Sequence, residues 1–255
     1  MKPSKGQIVV LSSLLVTLFA LTRTTPAQSP NSTSSAAVIV GRAAAAHGGR
    51  WASGQIADSI SQGTLTFLTS DGPKVTFDVS VFRKYPAQVQ RIIKESVGDL
   101  KQGTDGSKSW ESIIGFSTPE AHGRSLAFLE SHSTRSVERL FNFQKEALTL
   151  RDIGPKNKSH LIEAEDQRGK KSTYFIDNDT NVITRLEFAV GQLKDPFSGA
   201  TVDDIDRYVF SDYRMVQGVL TPFKVERYNG GDKTEEMQFS SFRYNAGLKD
   251  QDFQR

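Results

Sequence analysis

The chain has 255 residues, of which 37% are hydrophobic and 24% charged, so it can form a packed globular domain and is not of disordered or collagen-like composition. Its formal net charge is +3, but Lys2, Lys5 and Arg23 in the first 27 residues account for all of this excess. The rest of the chain is neutral, which removes the electrostatic argument for a nucleic-acid partner, and we expect none.

Residues 1–27 have the three parts of a secretory signal peptide. Two lysines form a basic start, an apolar run extends from Ile8 to Leu21, and Thr-Pro-Ala27 precedes the expected cleavage site. A transmembrane anchor is the alternative, but it needs about 20 apolar residues and this run is shorter. We therefore expect an exported protein.

The chain contains no cysteine. This excludes disulfides, thiolate metal sites and lipid attachment to a processed N-terminal cysteine. The stability of the folded protein must therefore come from its core.

The mature chain is expected to start with a linker and a helix. Residues 28–35 are rich in Ser, Asn and Thr, which is typical of a flexible linker. The Ala-rich stretch Ala36–His47 predicts a helix that the Gly48-Gly49 pair ends. We expect residues 36–255 to form a single domain.

Strands are predicted after this helix, because apolar and polar residues alternate. Leu65 and Phe67 belong to the first strand, Val75–Val81 to the second and Val89–Lys94 to the third. Turns are predicted at Asp71–Pro73 and at Gly103–Gly106, where Gly, Asp and Pro cluster.

The middle third has a helical pattern. Ser117, Pro119 and Glu120 have the spacing of a capping box, with Ser117 at the N-cap. Between Pro119 and Leu150, apolar residues recur mostly at spacings of three and four, which predicts one or two helices.

Six further strands follow, with hairpin turns at Asp177–Thr180 and Asn229–Asp232. In the strand Val182–Val190, even-numbered residues such as Leu186 and Phe188 are predicted to share the buried face, and Ile183 the opposite face. The six strands are Leu161–Ala164, Ser172–Asp177, Val182–Val190, Arg207–Arg214, Thr221–Tyr228 and Glu235–Tyr244.

These elements predict an α+β fold that is mainly antiparallel β. About nine to eleven strands are too many for a flat open sheet, so we expect a curved, unclosed β-barrel covering the N-terminal helix and a central helical plug. Either the helices fill the concave face, or they leave an apolar cavity for a ligand.

No residue pattern indicates catalysis, a metal site or a cofactor. The segment around Ser117 has Pro119 where a nucleophile elbow has Gly, and the four histidines have no metal-ligand spacing. Two acidic groups leave a calcium hypothesis open, although neither fits the twelve-residue calcium loop: Glu163, Glu165 and Asp166, and Asp195, Asp203, Asp204 and Asp206.

Apolar and aromatic residues are the candidate ligand-lining set, with plain core packing as the alternative for each. They are Phe128, Leu140, Phe141, Tyr174, Leu186, Phe188, Tyr208, Phe210, Phe223 and Phe239.

The chain resembles the LolA-like family of periplasmic lipoprotein carriers and outer-membrane lipoprotein-sorting proteins. The resemblance covers residues 36–255 and is carried by five segments: Ala44–Gly49, Thr173–Leu186, Tyr208–Arg214, Gly218–Pro222, and Asn245–Leu248 with Asp252-Phe253. It implies an unclosed antiparallel barrel whose concave face holds a helical plug and, in the carriers, acyl chains.

The resemblance also implies a function. It predicts a monomeric, non-catalytic periplasmic protein that binds a lipid, a lipidated protein or another apolar ligand. The alternative is an interaction module of the same fold that binds a membrane-protein partner in the cell envelope, and a hydrolase ranks third.

Overall fold

The computed structural model describes residues 35–51, 54–68, 74–113, 116–118, 123–194 and 201–254. The predicted signal peptide (1–27), the predicted linker (28–35) except Ser35, and the Asp71–Pro73 turn lie outside these ranges. The helices are α1 (Ser35–Ala46), α2 (Gly123–His132), α3 (Val137–Phe141) and a short 3-10 helix (Asp250–Phe253). None of the described helices is long and apolar enough to cross a membrane.

Thirteen strands among the described residues form one antiparallel sheet. They are β1 (Asp58–Phe67), β2 (Val75–Lys84), β3 (Gln88–Lys94), β4 (Leu100–Thr104), β5 (Ser109–Ile113), β6 (Phe116–Thr118), β7 (Thr149–Lys156), β8 (Ser159–Glu165), β9 (Lys171–Asp177), β10 (Ile183–Lys194), β11 (Thr201–Val216), β12 (Val219–Asn229) and β13 (Asp232–Tyr244).

The strand order is β6-β5-β4-β3-β2-β1-β13-β12-β11-β10-β9-β8-β7. Strands β1 to β6 run outward to one free edge, the chain crosses through α2 and α3 to the opposite edge at β7, and β7 to β13 return to pair with β1. Ser59 of β1 lies opposite Tyr244 of β13. The predicted mainly antiparallel, curved and unclosed fold is confirmed, with thirteen strands instead of nine to eleven.

Strict alternation of buried residues positions the core. Along β12, Val219, Thr221, Phe223, Val225 and Arg227 are buried and the residues between them are partly exposed. Period-two alternation turns one face of a sheet toward a common core, and in this protein the helices cover that face.

Helix α1 agrees with its prediction to within one residue at each end. Gly48 and Gly49 both have positive φ, and their N–H groups donate to the carbonyls of Ala45 and Ala44 at 2.9 Å. A Cβ on Gly48 would lie 2.1 Å from the carbonyl oxygen of Gly218. The end of α1 therefore packs directly on the β11–β12 turn.

The helical middle third is shorter than predicted. The backbone of Ser117 lies in β6, opposite Ser112, so Ser117 is not an N-cap, and α2 begins only at Gly123. Leu150 lies in β7 opposite Ala164. Hydrogen bonds to the neighbouring strands β5 and β8 thus override the local helical pattern at both ends of the predicted helical segment. Pro119 and Glu120 lie outside the described residues.

Two other local predictions are wrong for reasons of packing. The turn predicted at Gly103–Gly106 begins later, at Asp105, and Gly103 pairs within β4, where the Trp110 ring of β5 occupies the space that a Cβ would need. In β10 the pairing with β9 shifts between Ile183 and Arg185, so Ile183 is buried together with Leu186 and Phe188. A bulge of this kind reverses the phase of the alternation.

Candidate functional site

A cavity of about 80 Å³ lies between the α2–α3 region and strands β1, β2, β11, β12 and β13. Apolar residues form much of its wall, including Val81, Phe210, Val225, Phe239 and Phe242. Pockets for drug-sized ligands measure roughly 300–1,000 Å³. Of the two arrangements that the sequence left open, the structure is therefore nearer to a filled concave face.

A wider groove of about 590 Å³ lies beside the end of α2, against strands β9, β10 and β11. It is open to solvent, and its wall carries charges of both signs, such as Arg135, Glu163, Lys171 and Glu187. We take the smaller cavity as the candidate site because it is more enclosed and its polar groups converge on an apolar interior.

An ion pair joins α3 to the sheet at the wall of the cavity. Arg83 of β2 donates two hydrogen bonds to the carboxylate of Glu138, at 2.9 and 2.7 Å, and a third to the carbonyl of His132 at 2.9 Å. Burial alone would raise the pKa of Glu138, but the guanidinium of Arg83 holds it below its ordinary value. We call this pair the Arg83–Glu138 clamp.

His132, the last residue of α2, is neutral. Burial, and next the charge of Arg83, lower its pKa to about 3. The ring stacks on Phe128 at 4.2 Å, and Nδ1 lies 3.1 Å from the Phe128 carbonyl oxygen, which can only accept. Nδ1 therefore carries the proton and Nε2 keeps its lone pair.

Hydroxyl groups also line the cavity wall. The hydroxyls of Tyr85 and Ser59 lie 3.2 Å apart, and those of Tyr244 and Thr221 lie 2.8 Å apart. Burial raises the pKa of Tyr208, as it does for Tyr85 and Tyr244. All of these phenols stay protonated at neutral pH and act as uncharged hydrogen-bonding groups.

His47 connects α1 to the strands around the cavity. Its Nδ1 lies 3.1 Å from the carbonyl oxygen of Leu220, and its Nε2 accepts the N–H of Ile183 at 3.2 Å. One ring nitrogen therefore donates and the other accepts, which requires a neutral imidazole, and burial lowers the pKa of His47 in agreement. The ring packs 5.1 Å from that of Phe141. The helix-end position predicted for this histidine thus has a structural purpose.

A second polar group lies on the same face of the sheet, beneath α2. Arg227 bonds both oxygens of Asp206 at 3.0 Å and Glu235 at 2.8 Å, and Glu235 also contacts Arg91 at 3.4 Å. Arg91 donates to Gln102 at 2.7 Å and lies 3.8 Å over the Phe128 ring. We call these five residues, Arg91, Gln102, Asp206, Arg227 and Glu235, the buried ion network.

The predicted ligand-lining residues divide into two groups. Tyr208, Phe210 and Phe239 line the cavity. The other seven are buried in the core around it: Phe128, Leu140, Phe141, Tyr174, Leu186, Phe188 and Phe223. Contact with a ligand stays a prediction for all ten.

The acidic groups considered for calcium are engaged elsewhere or lie apart. Glu163 pairs with Arg151 and Lys171, and Asp206 belongs to the buried ion network. In the part of the chain that the structure describes, no group of three or more His, Asp or Glu side chains could hold a metal ion. Asp195 lies outside that part.

Sequence reasoning missed Arg83 and Glu138, although a signal for each was present. Arg83 continues the inward phase of Val79 and Val81 on β2, and Glu138 lies three residues before Phe141 on α3. A charged residue at an inward position needs a buried partner. The position of a residue within the alternation was therefore more informative than its type.

Solved structures with the same fold were found, all at low sequence identity. A LolA superfamily protein from Nitrosomonas europaea is 12% identical, with 86% of this chain and 97% of the other covered at a TM-score of 0.58. A DUF1329 family protein from Desulfovibrio piger is 13% identical, with the same coverage and a TM-score of 0.57. An outer-membrane lipoprotein-sorting protein domain from Vibrio parahaemolyticus is 14% identical, with 85% and 94% covered at 0.53.

These similarities define the class of fold. The chain has the LolA-superfamily fold, a curved and unclosed antiparallel barrel around helices. A scan against protein-family models finds no match, and neither does a search of the curated proteins. At identities of 12–14% the likeness concerns the fold alone.

Proposed function

We propose that the protein is a non-catalytic periplasmic carrier that binds a lipid, the acyl chains of a lipoprotein or another apolar ligand on the concave face of its sheet. One observation carries the proposal. The α2–α3 segment crosses between the two free edges of the sheet and covers a partly enclosed cavity with an apolar interior. The lipoprotein-sorting description of one similar structure supports it, and the signal peptide predicted from the sequence would export the protein.

Ligand uptake requires α2 and α3 to move. An acyl chain does not fit in about 80 Å³, and burying roughly ten methylenes contributes on the order of 8 kcal/mol before the costs of association. The Arg83–Glu138 clamp holds α3 to β2 without a covalent bond. We expect the ligand to exchange when this segment shifts away from the sheet.

The pair Ser131 and His132 does not favour a hydrolase. The Ser131 hydroxyl donates to the carbonyl of Phe128 at 2.8 Å, and Nδ1 of His132 lies 3.1 Å from the same carbonyl oxygen and 2.7 Å from the Ser131 hydroxyl oxygen. A nucleophilic serine would have to give its proton to a histidine lone pair. Here the neighbouring ring nitrogen carries a proton, so the pair caps the end of a helix.

The first experiment is native mass spectrometry of the protein purified from its own periplasm, followed by organic extraction and lipid identification. A stoichiometric lipid or lipoprotein adduct is expected. A ligand-free mass together with no uptake of a fluorescent fatty acid would overturn the carrier proposal.

The second experiment uses the absence of native cysteines. In the double variant Arg83→Cys with Glu138→Cys, a short bismaleimide would tie α3 to β2, and uptake should be lost after cross-linking. The same variant without the reagent is the matched control and should still take up ligand. Equal uptake in both samples would show that α3 does not need to move.

The alternative function is an interaction module of the same fold that binds a membrane-protein partner. The small cavity favours it, because a filled concave face leaves the outer face or a free edge such as β7 for binding. Co-purification of a stoichiometric envelope protein with ligand-free chain would support this alternative over a carrier.

A further inference from the structure

The cavity contains buried polar atoms that are not paired. The side chain of Tyr208 is 1% exposed, and its hydroxyl makes no hydrogen bond within the described residues. Ser131 lies beside it, and because the single proton of the Ser131 hydroxyl goes to the Phe128 carbonyl, Ser131 cannot donate to Tyr208. Nε of Arg83 and Oγ of Ser136, both at the cavity wall, are also buried without a partner in the described part of the chain. Folded proteins pair nearly all such groups, so three at one cavity need an explanation.

The charges around the cavity are already balanced. The guanidinium of Arg83 is neutralised by both oxygens of Glu138, and burial keeps His132 uncharged. A ligand carboxylate would have to compete with Glu138 for Arg83, and the displaced charge would remain buried. Burying an unbalanced charge costs several kcal/mol. A neutral oxygen could accept hydrogen bonds from the unpaired donors without that cost.

We propose that this cavity receives an uncharged, oxygen-bearing head group of an amphiphilic ligand, a hydroxyl, ester or amide, and that Tyr208 recognises it. The Tyr208 hydroxyl can donate or accept, and Nε of Arg83 can only donate, so an uncharged oxygen is an acceptor for either. The inference rests on the proposed function, because the apolar tail needs the displacement of α2 and α3. The head group itself is small enough for the existing cavity.

The test compares three probes of equal chain length: dodecanol, dodecanoate and dodecane. Each is titrated against the full mature protein loaded with the uncharged fluorophore N-phenylnaphthylamine. Dodecanol should displace the fluorophore at about tenfold lower concentration than either of the others, which is the factor expected for one net hydrogen bond. In Tyr208→Phe this advantage should disappear.

The matched control is Tyr228→Phe, which removes a tyrosine hydroxyl outside the cavity that donates to the Glu226 carboxylate at 3.3 Å. It should keep the preference for dodecanol. A direct readout is the carbon resonance of the Tyr208 ring next to the hydroxyl in tyrosine-labelled protein, assigned by its loss in Tyr208→Phe. This resonance should shift with dodecanol and stay in place with dodecane.

The outcomes separate the inference from the function on which it rests. Equal displacement by all three probes, or an unchanged preference in Tyr208→Phe, would overturn the head-group site and leave the carrier proposal standing. If dodecanoate bound most tightly of the three probes, the proposal that the head group is uncharged would be overturned. If the fluorophore did not bind and no probe had an effect, both the head-group site and the carrier proposal would be overturned, because the protein would then take up no apolar ligand.

Discussion

The buried ion network and the Arg83–Glu138 clamp lie on the same concave face but differ in how completely they are paired. In the network, Asp206, Arg227, Glu235 and Arg91 come from four different strands and satisfy one another. The clamp joins the sheet to a helix, and beside it the Tyr208 hydroxyl has no hydrogen-bond partner among the described residues.

This difference indicates which part of the molecule is rigid and which can move. A fully paired buried network loses several charge-assisted bonds if any strand shifts, so it holds the register of β3, β11, β12 and β13. The clamp, by contrast, is a single ion pair between strand β2 and helix α3. The proposed uptake of a ligand therefore needs α3 to break the clamp and to expose Leu140 and Phe141, which are buried in the core, while the strands stay in place.

Glu235→Gln should have the largest effect. It removes a buried negative charge between Arg91 and Arg227, and leaving buried charges uncompensated costs about 3–5 kcal/mol of unfolding free energy. Chemical denaturation measures the loss. The neighbouring Glu236→Gln, whose side chain is partly exposed and pairs with lysines, is the control and should cost about 1 kcal/mol or less. Equal losses in the two variants would contradict a special role for the network.

Glu138→Gln should have a smaller and more local effect. The amide cannot replace the charge-assisted pair with Arg83, so we expect a loss of about 1.5–3 kcal/mol and faster hydrogen exchange in α3. Exchange in β12 should change less, since the network remains intact. If β12 and α3 lost protection together, the two regions would not be separable.

Acid should lower the free energy of unfolding through His132, which lies beside the Arg83–Glu138 clamp. Its native pKa of about 3 lies below the ordinary 6.5, so between these values the unfolded chain binds a proton that the native protein does not. Stability is therefore complete above pH 6.5 and falls as the pH decreases, by about 2 kcal/mol at pH 5 from this group.

Melting temperatures between pH 7.5 and 5 test this effect. The variant His132→Phe keeps a ring against Phe128 and should show a smaller decrease over the same range. His47, whose pKa is also lowered by burial, should supply part of the slope that remains. An identical pH dependence in the variant and the wild type would refute the assignment to His132.

The smallest expected effect is the difference in unfolding free energy between two variants that each lose a buried tyrosine hydroxyl. Tyr174→Phe loses hydrogen bonds to two carbonyls and should cost about 1 kcal/mol. Tyr208→Phe removes a hydroxyl with no partner among the described residues and should change the unfolding free energy by about 0.5 kcal/mol or less. A large loss at Tyr208 would mean that its hydroxyl bonds within the protein in solution, and the head-group site would lose its basis.

Much of the architecture could be predicted from local patterns. The alternation on β2 and β12, the hairpin turns at Asp177–Thr180 and Asn229–Asp232, and the glycine pair after α1 are all short-range signals. The candidate site was harder to predict. Tyr208 and Phe239 were identified as apolar candidates, but the clamp joins residues 83 and 138, which no local pattern connects.

The sequence by itself determined an antiparallel, curved sheet with helices on its apolar face, because strand alternation and helix caps depend on neighbouring residues. Only the tertiary structure decided which inward charges meet, where β10 changes phase, and that α2 and α3 reduce the cavity to about 80 Å³. These features depend on contacts between distant residues: Ile183 meets His47, and Arg91 meets Glu235. The free energy of such contacts exists only once the strands have been brought together.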